Sequence, residues 1–396
     1  MGQQPDSRLH RALRLPGATV VGVGAMLGTG VFAVWTPAYE LAGHALVYAL
    51  GLAALIASLN AISTASLARE LPRAGGVYAY GKAYVGRPAG VAAGYAFVMG
   101  KSASAGAAAL TVGAYAWPGQ ERLVGLVAVA LALALDLRGI VRSTRVTAVL
   151  IVIVLSVVAA LAIAFGGSPR ANVAALANEA VAWSVLGAAG LLFVAFAGYA
   201  RITVLGEEVV DPRRTIPRAM ALSFAVVIAT YVVVAAVVLG AVSAGVVLSA
   251  APLESIAAAV GPDTLAAAVR VGAIVAAGAV LVSLIAGIGR TVFAMSSEGD
   301  APRGLSKVNA RHVPWRAEIV AAAFAIAVVL VGGIGFALGL SAATILTYYG
   351  IAHLSVLARW RRRHVRAWQA WLAGLGLVGC VIVVVGLLIA ALSIGT

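Results

Sequence analysis

Apolar residues occupy this chain in long runs broken by short polar and basic stretches. The runs predict eleven membrane-spanning segments at about 17–41, 45–67, 89–116, 122–138, 146–166, 182–206, 218–243, 264–290, 317–335, 337–358 and 369–393. Most supply the roughly 20 apolar residues that cross a hydrocarbon core, and the fourth is short. The first run carries Gly22, Gly24, Gly28 and Gly30 within nine residues. Each weakens a helix by roughly 1 kcal/mol relative to alanine. Freed backbone is tolerated at membrane depth where it lines a cavity, so the pattern predicts a break at a transport site. A glycine-lined packing face is the alternative. A weaker interruption lies in the sixth run, at Phe196-Ala197-Gly198-Tyr199-Ala200-Arg201. Each interrupted segment leads a set of five, and an odd number places the two sets in opposite orientation. The expected fold is therefore an all-α integral membrane protein forming one transmembrane domain. It is a five-plus-five inverted repeat with discontinuous helices 1 and 6. Repeat one covers about 16–166 and repeat two about 182–358, with one extra C-terminal helix at about 369–393.

Composition agrees with that reading, since 62% of the chain is hydrophobic and 11% charged, against about 25% charged in an ordinary soluble domain. The first run is too long for a signal peptide and no small-residue cleavage site follows it. Orientation comes from the 28 basic residues. With the N-terminus in the cytoplasm, all of them face inside except Arg122, Arg170, Arg270 and two cations within apolar runs, Lys101 and Arg201. A miscounted segment would spoil this bias. The expectation is a multi-pass cell-membrane protein with the N-terminus cytoplasmic and the C-terminus outside. The net charge of +14 is then a topogenic signal, not a nucleic-acid surface. The run Arg359–Arg366 can also touch anionic membrane lipid. One cysteine, Cys380, and five scattered histidines give no metal site, and no cofactor is expected.

Several stretches resemble a known family. Gly24-Ala25-Met26-Leu27-Gly28-Thr29-Gly30-Val31-Phe32 is similar to the first-helix signature of the amino acid–polyamine–organocation (APC) superfamily of permeases. Leu71-Pro72-Arg73-Ala74-Gly75-Gly76-Val77-Tyr78-Ala79-Tyr80 resembles that family's first cytoplasmic loop. Gly206-Glu207-Glu208-Val209 through Pro212-Arg213-Arg214-Thr215-Ile216-Pro217-Arg218-Ala219 resembles the element after its sixth helix. Arg290 through Ala294-Met295 and Gly299-Asp300-Ala301-Pro302 resembles the loop after its eighth. The resemblance implies an inverted-repeat transporter working by alternating access on an amino acid. It implies that the substrate carboxylate meets amides around Gly28, Thr29 and Gly30. The amine would meet carbonyls near Ala25 and Met26 and around Phe196, Ala197 and Gly198, with Tyr199 an aromatic gate. The physical reason is that helix N-termini attract anions and C-termini attract cations. Many relatives have a twelfth helix, absent here. Relatives taking cationic substrates often carry an acid where this chain has Ala200, with Arg201 beside it.

Lys101 and Arg201 decide the expected chemistry. Lys101 sits mid-segment, where a charge costs at least about 2.5–3.5 kcal/mol, so it is a coupling or substrate-contacting amine or a structural partner of freed carbonyls. Arg201 contacts substrate, snorkels to the membrane surface, or pairs with Glu207 or Glu208. Both favour a neutral or acidic amino acid over a basic one. Sodium needs several oxygens, and the eighth segment offers Ser283 without a neighbouring Ser/Thr pair, so proton symport or exchange is preferred. The alternative functions are transport of another small organic solute or amine, or a non-transporting membrane component. No Ser/His pair, acidic dyad or metal cluster appears within the apolar segments, so no enzyme is expected. No nucleotide-binding GxxxxGK[ST] loop is present.

Overall fold

The computed structural model describes residues 13–71, 75–138, 144–167, 181–203, 209–309, 313–362 and 364–394. Among them the regular structure is helical, apart from one isolated bridge between Leu13 and Val209. The first apolar run is three helices, α1 (Leu15–Met26), α2 (Thr29–Ala33) and α3 (Trp35–Ala42). The second is α4 (Leu46–Glu70), followed by the short α5 (Gly76–Tyr84). Then come α6 (Arg87–Ala116), α7 (Glu121–Leu137) and α8 (Thr144–Gly166). The sixth run is α9 (Ala182–Phe196), a 3-10 turn at Ala197–Tyr199 and α10 (Ala200–Thr203). The remainder is α11 (Pro212–Ser243), α12 (Pro252–Val260), α13 (Asp263–Ser297), α14 (Trp315–Val331), α15 (Ile334–Arg361) and α16 (Ala367–Ile394). Eight stretches are long and apolar enough to cross a membrane. The shorter spans are α7 and α14, with 17 residues each, and α6 dilutes its hydropathy with small residues and Lys101.

All eleven runs are thus helical, and the two interrupted ones lead their sets. Several helices outrun their apolar stretch, as α13 does to Ser297, because a helix continues its hydrogen bonds into headgroups and water. The connection 250–264 contains α12, whose Leu253, Ile256 and Ala257 are buried as it packs on α2, α8, α11 and α13.

The centre of the bundle is α6, packed on α13, α14 and α15 as well as α7. Its Ala103, Ala105, Ala107, Ala108 and Ala109 are all buried. Lipid supplies no hydrophobic drive between helices, so small residues that admit close packing take its place. The outer helices α8 and α16 leave Val152, Ile163, Val385 and Leu392 exposed, the face a lipid-contacting helix needs.

Contacts far apart in sequence identify the two ends. At the arginine-rich end, Arg359 pairs with Glu70 at 3.3 Å and Val210 N–H donates to Leu13 C=O. At the opposite end, the Thr36 hydroxyl donates to Ser249 C=O at 2.6 Å and Arg270 pairs with Glu254. The arginine-rich end also holds a polar latch. The Asp300 carboxylate, almost wholly buried, accepts from Lys82 Nζ at 2.6 Å, Tyr78 OH at 2.6 Å and Arg87 Nε at 2.9 Å. Lys82 also donates to Glu298 at 2.6 Å. This ties α5 and the start of α6 to the loop after α13.

The hydrogen bonds from Lys82 and then Tyr78 hold Asp300 well below the usual carboxylate range, against the opposing effect of burial. Burial pushes Lys82 down, but its bonds to Asp300, Glu298 and Tyr78 more than reverse that and hold it above its ordinary value. The carboxylate's contribution to stability is therefore complete above its unfolded value of about 4 and disappears as pH falls through the lower folded value. The ammonium's contribution is complete below its unfolded value of about 10.4 and disappears as pH rises through the higher folded value. Asp300→Asn should lower the melting temperature of detergent-solubilised protein throughout the neutral range. Its deficit relative to wild type should shrink on acidification. A deficit unchanged down to the acid limit would contradict the latch.

Candidate functional site

Where α1 ends, Leu27 N–H still reaches Val23 C=O at 2.8 Å. Gly28 then turns to φ −80°, ψ −114°, and α2 begins afresh at Thr29. A helix that stops leaves its last carbonyls without intrahelical donors, and one that starts leaves its first amides without acceptors. The second break answers the first, because the 3-10 turn at Ala197–Tyr199 crosses the end of α1. Glycine is required at that crossing, since a methyl group on Gly198 would strike the Ala25 carbonyl.

Two side chains reach the exposed carbonyls. Tyr231 of α11 places its hydroxyl 2.8 Å from Met26 C=O and 3.1 Å from Ala195 C=O, joining the ends of α1 and α9. Lys101 of α6 donates from Nζ to Ala197 C=O at 3.2 Å. Between the breaks and α6 lies a cavity of ≈ 50 Å³ lined by Ala25, Met26, Thr29, Gly30, Lys101 and Gly198, with Ser104, Ala107, Val194, Ala195, Val280, Leu284 and Leu338 completing the wall. The Thr29 hydroxyl is buried there with no hydrogen-bond partner. Ser104 is bonded to Ser341 at 2.7 Å. Among the described residues, no acidic side chain lines the cavity.

The remaining sequence-predicted residues lie around this cavity. Gly28 is turned toward Val280 of α13. The Ala197 carbonyl accepts from Lys101. Phe196 packs edge-on to Tyr231, with centroids 5.0 Å apart, and stacks on Phe224. Tyr199 is fully buried and stacks on Tyr349, 5.3 Å between centroids. Both aromatic rings therefore form a layer behind the breaks. Arg201 does not line the cavity. It is exposed and donates from Nη1 to Ser283 Oγ at 2.9 Å, bridging α10 to α13. Glu207 and Glu208, its expected partners, lie outside the described residues. Away from the cavity, Tyr115 OH donates to Phe32 C=O at 3.1 Å and the two rings meet edge-on, tying α6 to α2.

Three groupings were not evident from the sequence. Tyr231 carries a signal in retrospect, being a lone tyrosine in the apolar run of α11. A Ser/His pair does exist within the spans, because His353 Nδ1 lies 2.9 Å from Ser63 Oγ and its Nε2 lies 2.7 Å from Asn60 Oδ1. It is sealed under α16 by Gly376 and Cys380 and touches no cavity residue. An acidic pair exists as well, Asp136 of α7 with Glu318 of α14. Both pairs join residues far apart in sequence, which no local motif signals.

A family model described as amino acid permease matches residues 13–395. An uncharacterised transporter of Mycobacterium tuberculosis is 41% identical over 399 residues, covering 99% of this chain and 89% of that protein. The branched-chain amino acid permease of Bacillus subtilis is 27% identical over 338 residues, covering 78% of this chain and 71% of that protein. Among solved structures, MhsT in complex with L-phenylalanine has a TM-score of 0.65 at 17% identity, covering 98% of this chain and all of that one. That likeness gives the fold alone, an all-helical inverted repeat.

Two substitutions test the crossing. Tyr231→Phe leaves buried carbonyls of both broken helices short of a donor and should cost about 1–3 kcal/mol. Gly198→Ala drives a methyl group into backbone and should cost about 1–3 kcal/mol as overpacking. Thermal unfolding in detergent reads both. Wild-type melting temperatures in both variants would contradict the crossing as described.

Proposed function

This chain belongs to the amino acid permease family, and from that premise we propose that it carries a neutral or acidic amino acid by alternating access, coupled to protons or working by exchange. It is a multi-pass membrane transporter and not an enzyme. The observation that carries the proposal is the convergence of the Lys101 ammonium and the unpartnered Thr29 hydroxyl on a cavity with no acidic lining. A carboxylate entering there meets a cation, a hydroxyl and the first amides of α2. A substrate ammonium meets the carbonyls at the end of α1 and at the 3-10 turn, and a cationic substrate side chain finds no counter-charge.

In this reading Lys101 is a gate as well as a contact. Its bond to Ala197 C=O holds the second break against α6. A substrate carboxylate competes for that ammonium and frees the break to move. Arg201 and Ser283 act beside the site, tying α10 to α13. The Ser283 hydroxyl is therefore engaged by a cation, which favours protons or exchange over sodium.

The two repeats are taken as 16–166 and 182–358, with the helix at 369–393 outside them. The protein is placed in the cell membrane with its N-terminus cytoplasmic and C-terminus outside. The arginine-rich end then faces the cytoplasm.

The test is counterflow of a labelled amino-acid panel in proteoliposomes. Saturable flux of a neutral or acidic amino acid is expected. Lys101→Ala should raise the half-saturating concentration at least about tenfold, the worth of a charge-assisted hydrogen bond of about 1.5–3 kcal/mol. Preference for a basic amino acid or an amine, or unchanged saturation in Lys101→Ala, would overturn the assignment of the cavity.

A further inference from the structure

Asp136 stands one residue before the end of α7 and Glu318 in the first turn of α14. Both side chains are more than nine-tenths buried. α7 packs on both α14 and α13, and the two carboxyl groups meet as side-chain hydrogen-bond partners in that seam. One oxygen of each, Asp136 Oδ2 and Glu318 Oε2, is buried without a partner. The backbone of α13 is cut back to admit this pair, since a side chain at Gly289 would collide with Glu318 Cγ. The next residue, Arg290, is the cation whose charge reaches both carboxyls.

Two ionised carboxylates have acceptors only and cannot hydrogen-bond to each other. A buried pair of carboxyls in contact is satisfied by one shared proton, since like charges in one site resist ionising together. With one proton and the Arg290 guanidinium the cluster is neutral, the state that burial favours. Without the proton it carries an uncompensated negative charge. Arg138, Arg303 and Lys307 also belong to this end of the bundle, but among the described residues Arg290 is the cation whose charge acts on both carboxyls. From α6, Arg87 is engaged by Asp300 and Lys101 by Ala197 C=O. Arg316 of α14 turns back to Gly304 C=O.

We propose that Asp136 and Glu318 form a single-proton binding site, separate from the substrate cavity, that couples proton release to movement of α14 against α7 and α13. In release, the O–H bond of the protonated carboxyl breaks and the proton passes to water at the arginine-rich end. The electron pair stays on the carboxylate, whose charge then draws in water or Arg290 and loosens the packing. In uptake, the reverse step reseals it. The coupling role rests on the transport reading, whereas the proton site itself does not.

Infrared difference spectroscopy of the purified wild-type protein, stepped from acid to alkaline pH, reads the site without any substrate. A protonated-carboxyl C=O band should disappear on alkalinisation and be missing from the step in Glu318→Gln and Asp136→Asn. Proteoliposome accumulation reads the coupling. A gradient of about two pH units sustains about a hundredfold concentration ratio for one proton per substrate, at 1.36 kcal/mol per unit. Wild type should accumulate substrate in that gradient. Glu318→Gln, which keeps a donor toward Asp136 but has no proton to release, should hold a ratio near one while still catalysing counterflow. A wild-type spectrum with no titrating carboxyl band overturns the proton site. Gradient-driven accumulation by Glu318→Gln equal to wild type, or counterflow without gradient-driven accumulation in wild type, overturns the coupling. Absence of flux for every amino acid in folded wild type would instead count against the transport reading and leave the infrared result to decide the proton site.

Discussion

Two helices can be broken at the same depth in a membrane only if the backbone groups they release find partners. That requirement organises this molecule. The end of α1 and the 3-10 turn after α9 cross where Gly198 meets the Ala25 carbonyl, so the two sets of freed groups share one small volume. Tyr231 reaches carbonyls of both breaks from α11, and Lys101 reaches a third from α6. What remains open is the cavity side, where the Thr29 hydroxyl waits without a partner. In the proposed function, a substrate carrying a carboxylate and an ammonium would complete the set, and substrate binding and helix stability would be the same hydrogen-bonding problem.

The rest of the bundle is held together around that crossing by close packing and by polar ties at its ends. The alanine-rich α6 packs closely on α13 and α15, and close packing of small residues resists deformation as a unit. At the arginine-rich end the Asp300 latch ties α5 and α6 to the loop beyond α13. The Asp136–Glu318 pair lies nearby between α7 and α14, facing α13. At the opposite end α12 covers α2, and Tyr115 meets Phe32. Polar contacts thus join helices at the ends, at the breaks and at the buried Ser63–His353–Asn60 cluster, and apolar packing joins them elsewhere.

Much of this was legible in the sequence, for a physical reason. Hydrocarbon thickness sets segment length, and insertion sets the distribution of arginines, so both are written locally. The eleven spans follow from those constraints, and the two breaks from glycines set inside apolar runs. Lys101 stood out because a mid-membrane ammonium needs a reason, and the structure places it in the cavity. Tyr199, a gate by the family resemblance, lies stacked on Tyr349, a contact the sequence does not signal because it depends on a neighbour from another helix. Ser283 offered an oxygen for a cation and is met by Arg201 instead. The carboxyl pair and the Ser63–His353 pair were invisible because each joins residues from distant helices, and only packing brings them together.

The most direct measurement is an electron cryomicroscopy map of the protein bound to an amino acid it transports. The crossing of the breaks predicts the substrate carboxylate against Lys101, Thr29 and the first amides of α2, with its ammonium at the carbonyls of Ala25 or Ala197. Density for the amino acid outside this cavity, or in it with the carboxylate turned away from Lys101 and α2, would contradict the proposed site.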